Sequence, residues 1–247
     1  SITAHQAGSV HCDHHRQILQ ASLEFLLETD SFKANERAIE LLNINNTRKD
    51  MTEQGTKTAI GLLETSDHLL MGAGPETGVA ALSDRVLVMY IPKLHESLVG
   101  IIAGRIKERY YRPVLLFTDS EEEGIIKGSG RSIEGYNMYD EINKCSDYFT
   151  KFGGHEMAAG FSMEKRNLAR LREKMNANCT LDEKLLTPKL RIDVPMPLDY
   201  VSISLTEELE VLEPFGKGNE KPVFAQSGVR VKSARIMGKR QNVLRVS

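Results

Sequence analysis

A short glycine-rich motif occupies residues 151–160 and reads Lys151-Phe-Gly-Gly-His-Glu-Met-Ala-Ala-Gly160. Glycine adopts positive φ angles and lets a ligand approach the main chain, so Gly153 and Gly154 place bare backbone beside the imidazole of His155. Successive free N–H groups in such a turn can form a concave site for an anion. The small residues at 158–160 permit close packing behind the turn. The motif therefore predicts a loop that binds an anionic ligand.

A second glycine-rich segment lies upstream and reads Lys127-Gly-Ser-Gly-Arg-Ser132. Its basic and hydroxyl side chains are of the types that hold phosphate oxygens, and arginine can bind two of those oxygens at once. We predict that a strand at residues 124–127 leads into this segment as a loop. The two segments together indicate a site for a phosphorylated polymer. The phosphate-contacting residues predicted in the upstream segment are Lys127, Ser129, Arg131 and Ser132.

The two motifs together resemble the DHH-associated domain of RecJ-type exonucleases in the DHH phosphoesterase family, which digest single-stranded DNA in the 5′→3′ direction. The resemblance runs from about residue 23 to the end, and a Pro-x-Gly-x-Gly-Asn pattern at 214–219 also matches the family. It implies an α/β fold with a mixed sheet, preceded by connecting helices and followed by a partial OB-like β-barrel. It also implies a role in DNA repair and recombination.

Hydrophobic periodicity supports the same fold class. Apolar runs at 85–91 and 113–117 enclose a helical pattern at 97–110, which predicts a β-α-β unit with parallel strands. An amphipathic helix is predicted at 164–178. The predicted domains are the tail of a DHH domain with connecting helices at 1–72, the DHH-associated substrate-binding domain at 73–187, a linker with an edge strand at 188–221, and the truncated start of an OB-like domain at 222–247.

Charge and cysteine content narrow the classes of protein. The chain has 32 basic and 34 acidic side chains and a net charge of −2, which is not typical of a strongly basic, autonomous nucleic-acid binder. Any contact with DNA must then come from a local patch. Three scattered cysteines fit a reducing compartment, and no apolar run reaches membrane-spanning length. We therefore expect a cytoplasmic protein without a membrane partner.

The resemblance assigns roles to particular side chains. His155 is expected to contact the scissile phosphate or the transition state as the catalytic residue, without acting as a nucleophile. The resemblance implies that Arg131 and Ser129, together with Gly153, Gly154, Lys127 and Ser132, grip the substrate. Arg105 and His95 are further substrate-binding candidates, although Arg105 is equally interpreted as a salt-bridged packing residue and His95 as a cap at a strand end.

Metal ions are expected outside these motifs. The resemblance implies two divalent ions, Mn²⁺ or Mg²⁺, that activate water, and it places their ligands in a domain before this sequence. We therefore assign no metal ligand and expect this fragment alone to be inactive. The string Asp13-His14-His15 is interpreted as a chance match, because no buried strand precedes it. Residues 5–9 depart from the family pattern, with only Gly8 matching and the expected arginine absent.

Three functions remain open from the sequence. The first is the substrate-gripping part of a RecJ-like exonuclease, with single-stranded DNA as partner and, by resemblance only, a single-strand-binding protein or helicase. The second is a DHH phosphodiesterase acting on cyclic dinucleotides or short oligonucleotides. The third is a catalytically inactive nucleic-acid-binding scaffold of the same fold. The barrel-like tail favours the first, because OB barrels bind single strands.

Overall fold

Two compact units make up the chain, one ending at Pro188 and the other beginning at Lys189. The computed structural model describes residues 19–69, 82–238, 241 and 243–247. In that part of the chain, no helix is both long enough and apolar enough to cross a membrane.

The described part of the first unit opens with two helices: residues 19–27 belong to α1, and α2 spans Ser31–Leu69. Asp30 separates them, and its Oδ1 accepts hydrogen bonds from the backbone N–H groups of Phe32 and Lys33 at 2.9 and 3.1 Å. This contact satisfies donors that a helix start leaves unpaired. The break predicted at residues 29–31 is therefore where α2 begins.

A five-stranded mixed sheet forms the centre of the first unit, in the order β1-β2-β3-β5-β4. Strand β1 runs parallel to β2, the helix α3 connects them, and all other neighbours are antiparallel. The predicted β-α-β unit and mixed sheet are thus confirmed. The bounds are β1 Leu87–Tyr90, α3 Glu96–Tyr110, β2 Val114–Asp119, β3 Ile125–Arg131, β4 Phe149–His155 and β5 Ala158–Glu164.

Helices pack against both faces of this sheet. On one side, Leu87 and Leu116 are buried in a core with apolar residues of α2 and α3. On the other, Leu115 and Phe117 are buried with residues of α4 (Met138–Asn143) and α5 (Leu168–Asn178). We call these sides the α3 face and the α5 face. Because side chains alternate along a strand, every residue of the sheet belongs to one of them.

The two glycine-rich segments form strands, where the sequence predicted loops. Strand β3 continues through Arg131, and β4 continues through His155, so only residues 156 and 157 turn between β4 and β5. Glycines hide the alternation of side chains by which a strand is recognised. The close packing here also requires glycine, since a Cβ on Gly128 would lie 2.3 Å from the Phe161 ring and 2.6 Å from the Leu116 carbonyl oxygen.

The second unit contains two short parallel strands, a helix and a hairpin. Their bounds are β6 Val194–Pro195, α6 Ile203–Glu210, β7 Phe224–Ala225, β8 Ala234–Met237 and β9 Val243–Val246. Strands β8 and β9 pair antiparallel, as their alternating sequence suggests. Residues 188–221, predicted as a linker with an edge strand, also contain α6, whose first turn is capped by Ser202 Oγ accepting from Leu205 N at 3.1 Å.

Adjacent glycines in β4 should respond differently to alanine. A Cβ on Gly154 would lie 2.4 Å from the Ala158 carbonyl oxygen and 2.5 Å from the Ala159 Cα, and Gly154 has φ +158°. A Cβ on Gly153 would meet nothing. We expect Gly154→Ala to lower the free energy of unfolding by about 1–3 kcal/mol, as overpacking does. Gly153→Ala should be neutral or slightly stabilising. Urea denaturation of both variants tests this, and equal losses would contradict it.

Candidate nucleic-acid interface

Three rows of paired residues cross strands β3, β5 and β4 on the α3 face. Directly paired residues in an antiparallel sheet point to the same side, and their Cβ atoms lie about 4.5–5.5 Å apart. The arginine row is Arg131, Ala158 and His155; the glycine row is Ser129, Gly160 and Gly153; the lysine row is Lys127, Ser162 and Lys151. Polar side chains from both glycine-rich segments therefore meet on one side of the sheet.

Helix α3 forms a wall beside the glycine and lysine rows, and a cleft of about 330 Å³ lies between the helix and the β3 and β5 residues of these two rows. The helix contributes Glu96, Val99 and Gly100, while β3 and β5 contribute most of the opposite side. A Cβ on Gly160 or Gly153 would meet no atom within 4 Å. The floor of the glycine row is therefore bare backbone that a flat ligand can approach closely.

Arg131 is held in place by its own strand and by α3. Its Nη1 donates hydrogen bonds of 2.7 Å to Ser129 Oγ and to the Gly130 carbonyl oxygen. Its Nη2 would lie 2.5 Å from a Cβ on Gly100, so the guanidinium packs where α3 lacks a side chain. The two bonds from Nη1 leave three of the five guanidinium N–H donors for a ligand.

His155 lies at the far end of the arginine row and is exposed. Its Nδ1 accepts a hydrogen bond from the backbone N–H of Met157 at 3.2 Å, so in this orientation Nε2 is the nitrogen directed to other partners. The turn is itself anchored, because the carbonyl oxygen of Met157 accepts from Ser132 N at 2.9 Å. The imidazole is thus fixed by the hairpin that carries it.

Lys127 lies two residues from Ser129 and reaches the other end of the cleft. Its Nζ is 3.4 Å from Glu96 Oε2, and the two side chains are 37% and 59% exposed. An exposed pair of this kind contributes about 0–1 kcal/mol, so a phosphate can compete for the ammonium group. Lys151, in the same row, is exposed at the edge of the sheet.

Ser132 does not reach the α3 face. Alternation along β3 turns it to the opposite side from Arg131, where it is fully buried. Its Oγ donates to the carbonyl oxygen of Tyr136 at 2.5 Å. A hydroxyl that is buried and already bonded serves the fold, so we leave Ser132 out of the proposed phosphate site.

The two weaker candidates also lie outside the rows. His95 is the N-cap of α3, and its Nδ1 accepts from Ser97 N at 3.3 Å, so it caps a helix start rather than a strand end. Arg105 is exposed on α3. Arg105 follows Gly100 by five residues, and a rotation of about 100° per residue puts the two about 140° apart around the helix. The Arg105 side chain therefore leaves the helix on a different side from the one that packs against Arg131. We leave both residues out of the proposed site.

The sequence did not predict that α3 and β5 contribute residues to the candidate site. Gly100 gives Arg131 its room, and Ser162 completes the lysine row. The signal for Gly100 was available, because an isolated glycine within a helical pattern often marks close packing. No comparable signal marked Ser162, whose position depends on strand pairing.

A carboxylate at the end of β2 fixes the start of α3. Asp119 Oδ2 accepts from Lys93 N at 2.8 Å, and its Oδ1 accepts from the hydroxyl of Tyr90. Burial raises the pKa of Asp119, but these hydrogen bonds and the positive charges of Lys165 and Lys93 together outweigh it, and the net shift of the pKa is downward. Asp119 is therefore charged at neutral pH and holds the turn that leads to the wall of the cleft.

The described residues do not fit a metal centre. Across residues 19–69 and 82–247, apart from the positions left out, no group of three or more His, Cys, Asp or Glu side chains lies together. The Asp13-His14-His15 string and residues 5–9 lie outside the described part of the chain. Cys145 and Cys179 are buried thiols, and burial raises the pKa of each.

Comparison with known families identifies two domains. A model of the DHHA1 domain matches residues 83–180, and a model of the RecJ OB domain matches residues 192–247. The first match contains all three rows, and the second begins before the predicted barrel start at residue 222. The resemblance inferred from the two glycine motifs is thereby confirmed.

Individual relatives give the same result. The chain is 30% identical to the single-stranded-DNA-specific exonuclease RecJ of Bacillus subtilis, over 88% of this chain and 26% of the relative. It is 33% identical to the same-named protein of Salmonella typhimurium, over 90% of this chain and 37% of the relative. The chain thus spans less than two fifths of either relative.

A solved structure shares the fold. The structure of RecJ from Thermus thermophilus in complex with Mg²⁺ has a TM-score of 0.64 and 26% identity to this chain, covering 89% of this chain and 32% of the other. A second structure of that protein, in complex with Mn²⁺, gives the same TM-score and identity.

Two glycines on the same flank of α3 offer a matched test of the Arg131 position. A Cβ on Gly100 would displace Nη2 of Arg131, whereas a Cβ on Gly104 would meet nothing. Alanine in a helix stabilises by about 0.5–1 kcal/mol relative to glycine. We expect both alanine variants to keep or raise the urea midpoint. Only Gly100→Ala should weaken binding of a nucleoside 5′-monophosphate in calorimetric titration, and equal affinities would contradict this geometry.

Proposed function

We propose that this chain, which carries a DHHA1 domain followed by a RecJ OB domain, is the part of a RecJ-type exonuclease that holds single-stranded DNA. The observation that carries the proposal is the shared α3 face, where strand pairing collects Arg131, Ser129 and His155 over bare glycine backbone. The similar proteins are named single-stranded-DNA-specific exonucleases. The substrate proposed here is a single strand with a 5′-phosphate.

Arg131 binds the terminal 5′-phosphate in this proposal. Its three uncommitted N–H donors can form a bidentate contact with two phosphate oxygens, which a lysine ammonium cannot reproduce. Ser129 Oγ, 2.7 Å from Nη1, holds the guanidinium in place. The half-buried position of Arg131 lowers the screening by solvent that weakens exposed ion pairs.

His155 contacts the scissile linkage in this proposal. The imidazole stands across Ala158 from Arg131, two strand spacings or about 10 Å away. That separation puts the two side chains on either side of a terminal nucleotide. Gly153 leaves the backbone near the imidazole open on the α3 face, because a Cβ there would meet nothing, so a phosphodiester can approach the main chain. Gly154 alternates to the opposite face, where it packs against Ala158 and Ala159.

The second unit favours a polymer over a cyclic dinucleotide. Its residues match the RecJ OB domain, and OB folds bind single strands through basic grooves and stacked bases. A small cyclic ligand would need no such domain.

Hydrolysis belongs, in this proposal, to the complete nuclease. The solved relatives are in complex with Mg²⁺ or Mn²⁺, and we propose that the complete nuclease depends on a divalent ion. Because the described residues bring no cluster of metal-binding side chains together, we assign no ligand in them. The role of this chain is to bind and position the strand.

Substitutions of Arg131 should separate two kinds of substrate. A charge-assisted hydrogen bond contributes about 1.5–3 kcal/mol, so Arg131→Ala should cost roughly 10- to 100-fold in affinity for a 5′-phosphorylated single strand. Arg131→Lys should recover part of that loss. Strands with a 5′-hydroxyl should be affected much less, because they lack the contact. Fluorescence anisotropy on both strand types measures these changes.

The matched control is Arg170→Ala, which removes an exposed arginine from α5 on the opposite face of the sheet. It should leave both affinities unchanged. An equal effect of Arg131→Ala on phosphorylated and hydroxyl strands would show that Arg131 supports the fold and does not read the terminal phosphate.

His155 should behave as a residue that acts in the transition state. In a complete RecJ-type nuclease that carries this chain, His155→Ala should lower the single-turnover rate about 10²–10³-fold, the range for loss of one stabilising donor. Affinity for the strand should stay within about two-fold, because the contact strengthens only in the transition state. If His155→Ala lowers the affinity for the strand by the same factor as the single-turnover rate, His155 contributes to binding of the substrate and not specifically to the transition state.

A further inference from the structure

We propose that the lysine row is a second phosphate site, which holds an internal linkage of the same strand whose end lies at Arg131. The inference rests on the proposed function and adds two residues, Lys151 and Ser162, to the surface that binds DNA. With Lys127 they put two ammonium groups and a hydroxyl side by side on the α3 face.

Strand register fixes the composition of this site. Lys127 pairs with Ser162, and Ser162 pairs with Lys151, so the serine lies between the two lysines. Directly paired Cβ atoms are about 4.5–5.5 Å apart, and a lysine side chain readily spans that distance. Both ammonium groups can therefore reach one phosphate placed over Ser162. Ser162 is half-buried, and its hydroxyl can donate to the same group.

The distance between rows distinguishes this site from the terminal one. Residues 127 and 131 are four positions apart on β3, which corresponds to about 13 Å along an extended strand. A single sugar unit joins neighbouring phosphates and does not span that length. The lysine row must therefore contact a linkage beyond the first, on the 3′ side of the terminal nucleotide.

The surface between the two sites is suited to the second nucleotide, which follows the terminal one. It is the glycine row, where Gly160 and Gly153 are directly paired and a Cβ on either would meet nothing. Sugar and base can lie flat against the backbone there. The cleft of about 330 Å³ has Lys127, Ser162 and Gly160 in its lining, so the lysine row and the glycine row share one depression.

Glu96 sets the charge of the second site. Its carboxylate lies 3.4 Å from Lys127 Nζ and holds the lysine over the cleft in the absence of a ligand. Because Glu96 is exposed and Lys127 is only half-buried, the pair is weak and screened by salt. A phosphate can replace the carboxylate as the partner of Lys127.

Substrate length gives the test. A 5′-phosphorylated thymidine dinucleotide reaches only the arginine row, whereas a 5′-phosphorylated octanucleotide reaches both rows. The double variant Lys127→Ala/Lys151→Ala should bind the octanucleotide about 10-fold more weakly and the dinucleotide unchanged. The slope of log affinity against log salt for the octanucleotide should become shallower by about 0.7, the value for one phosphate contact on a single strand.

The control is Lys144→Ala/Lys174→Ala, which removes the same charge from α4 and α5 on the opposite face. It should leave both affinities and the salt slope unchanged. Equal effects of the two double variants, or an equal loss on dinucleotide and octanucleotide, would overturn the second site. An unmodified chain that binds neither ligand would overturn the proposed function itself. Circular dichroism of each variant excludes loss of folding as the cause.

Discussion

The pairing of β3 with β5 is the constraint on which the interface depends. Seven consecutive residue pairs, from Ile125 with Glu164 to Arg131 with Ala158, fix these strands against each other. Since side chains alternate, a slip of one residue would turn Lys127, Ser129 and Arg131 into the α5 core. The glycine at 128 permits this pairing, because the Phe161 ring and the Leu116 carbonyl occupy the space that a side chain would need. Packing on one face thus determines which polar groups appear on the other.

Local sequence was enough to predict the helices and strands whose apolar residues repeat at a regular spacing. The β-α-β unit and the α5 helix were predicted because their apolar residues repeat at the spacing of a strand or a helix, as with Leu168, Leu171 and Met175 on α5. The glycine-rich segments were predicted as loops because glycine carries no side chain to show a period. Pairing makes β3 a strand through its whole length. One partner is the preceding strand β2, and the other is β5, which begins more than 25 residues further along the chain.

The same limit applies to the candidate site. Residue type selected Arg131, Ser129 and His155 as candidates, but it could not separate Ser129, which lies on the α3 face, from Ser132, which follows β3 and is fully buried. Nor could it show that Gly100 of α3 makes room for the guanidinium, or that Arg105 of the same helix lies on another flank. Several residues have suitable chemistry, and the side of the strand or helix on which each one lies decides which of them reach the cleft. Those sides are known only once the strands have paired and the helix has packed.

The position of β4 at one edge of the sheet has a consequence for self-association. An edge strand presents unpaired backbone groups, and a flat edge rich in glycine is a template onto which a second chain could add a strand. In β4, the pairing is irregular between Phe149 and Lys151, and Lys151 places an exposed charge on this edge. Both features are ways in which proteins discourage edge-to-edge aggregation. The glycine backbone of β4 therefore stays open to a ligand, while the bulge and Lys151 discourage it from pairing with the same strand of a second chain.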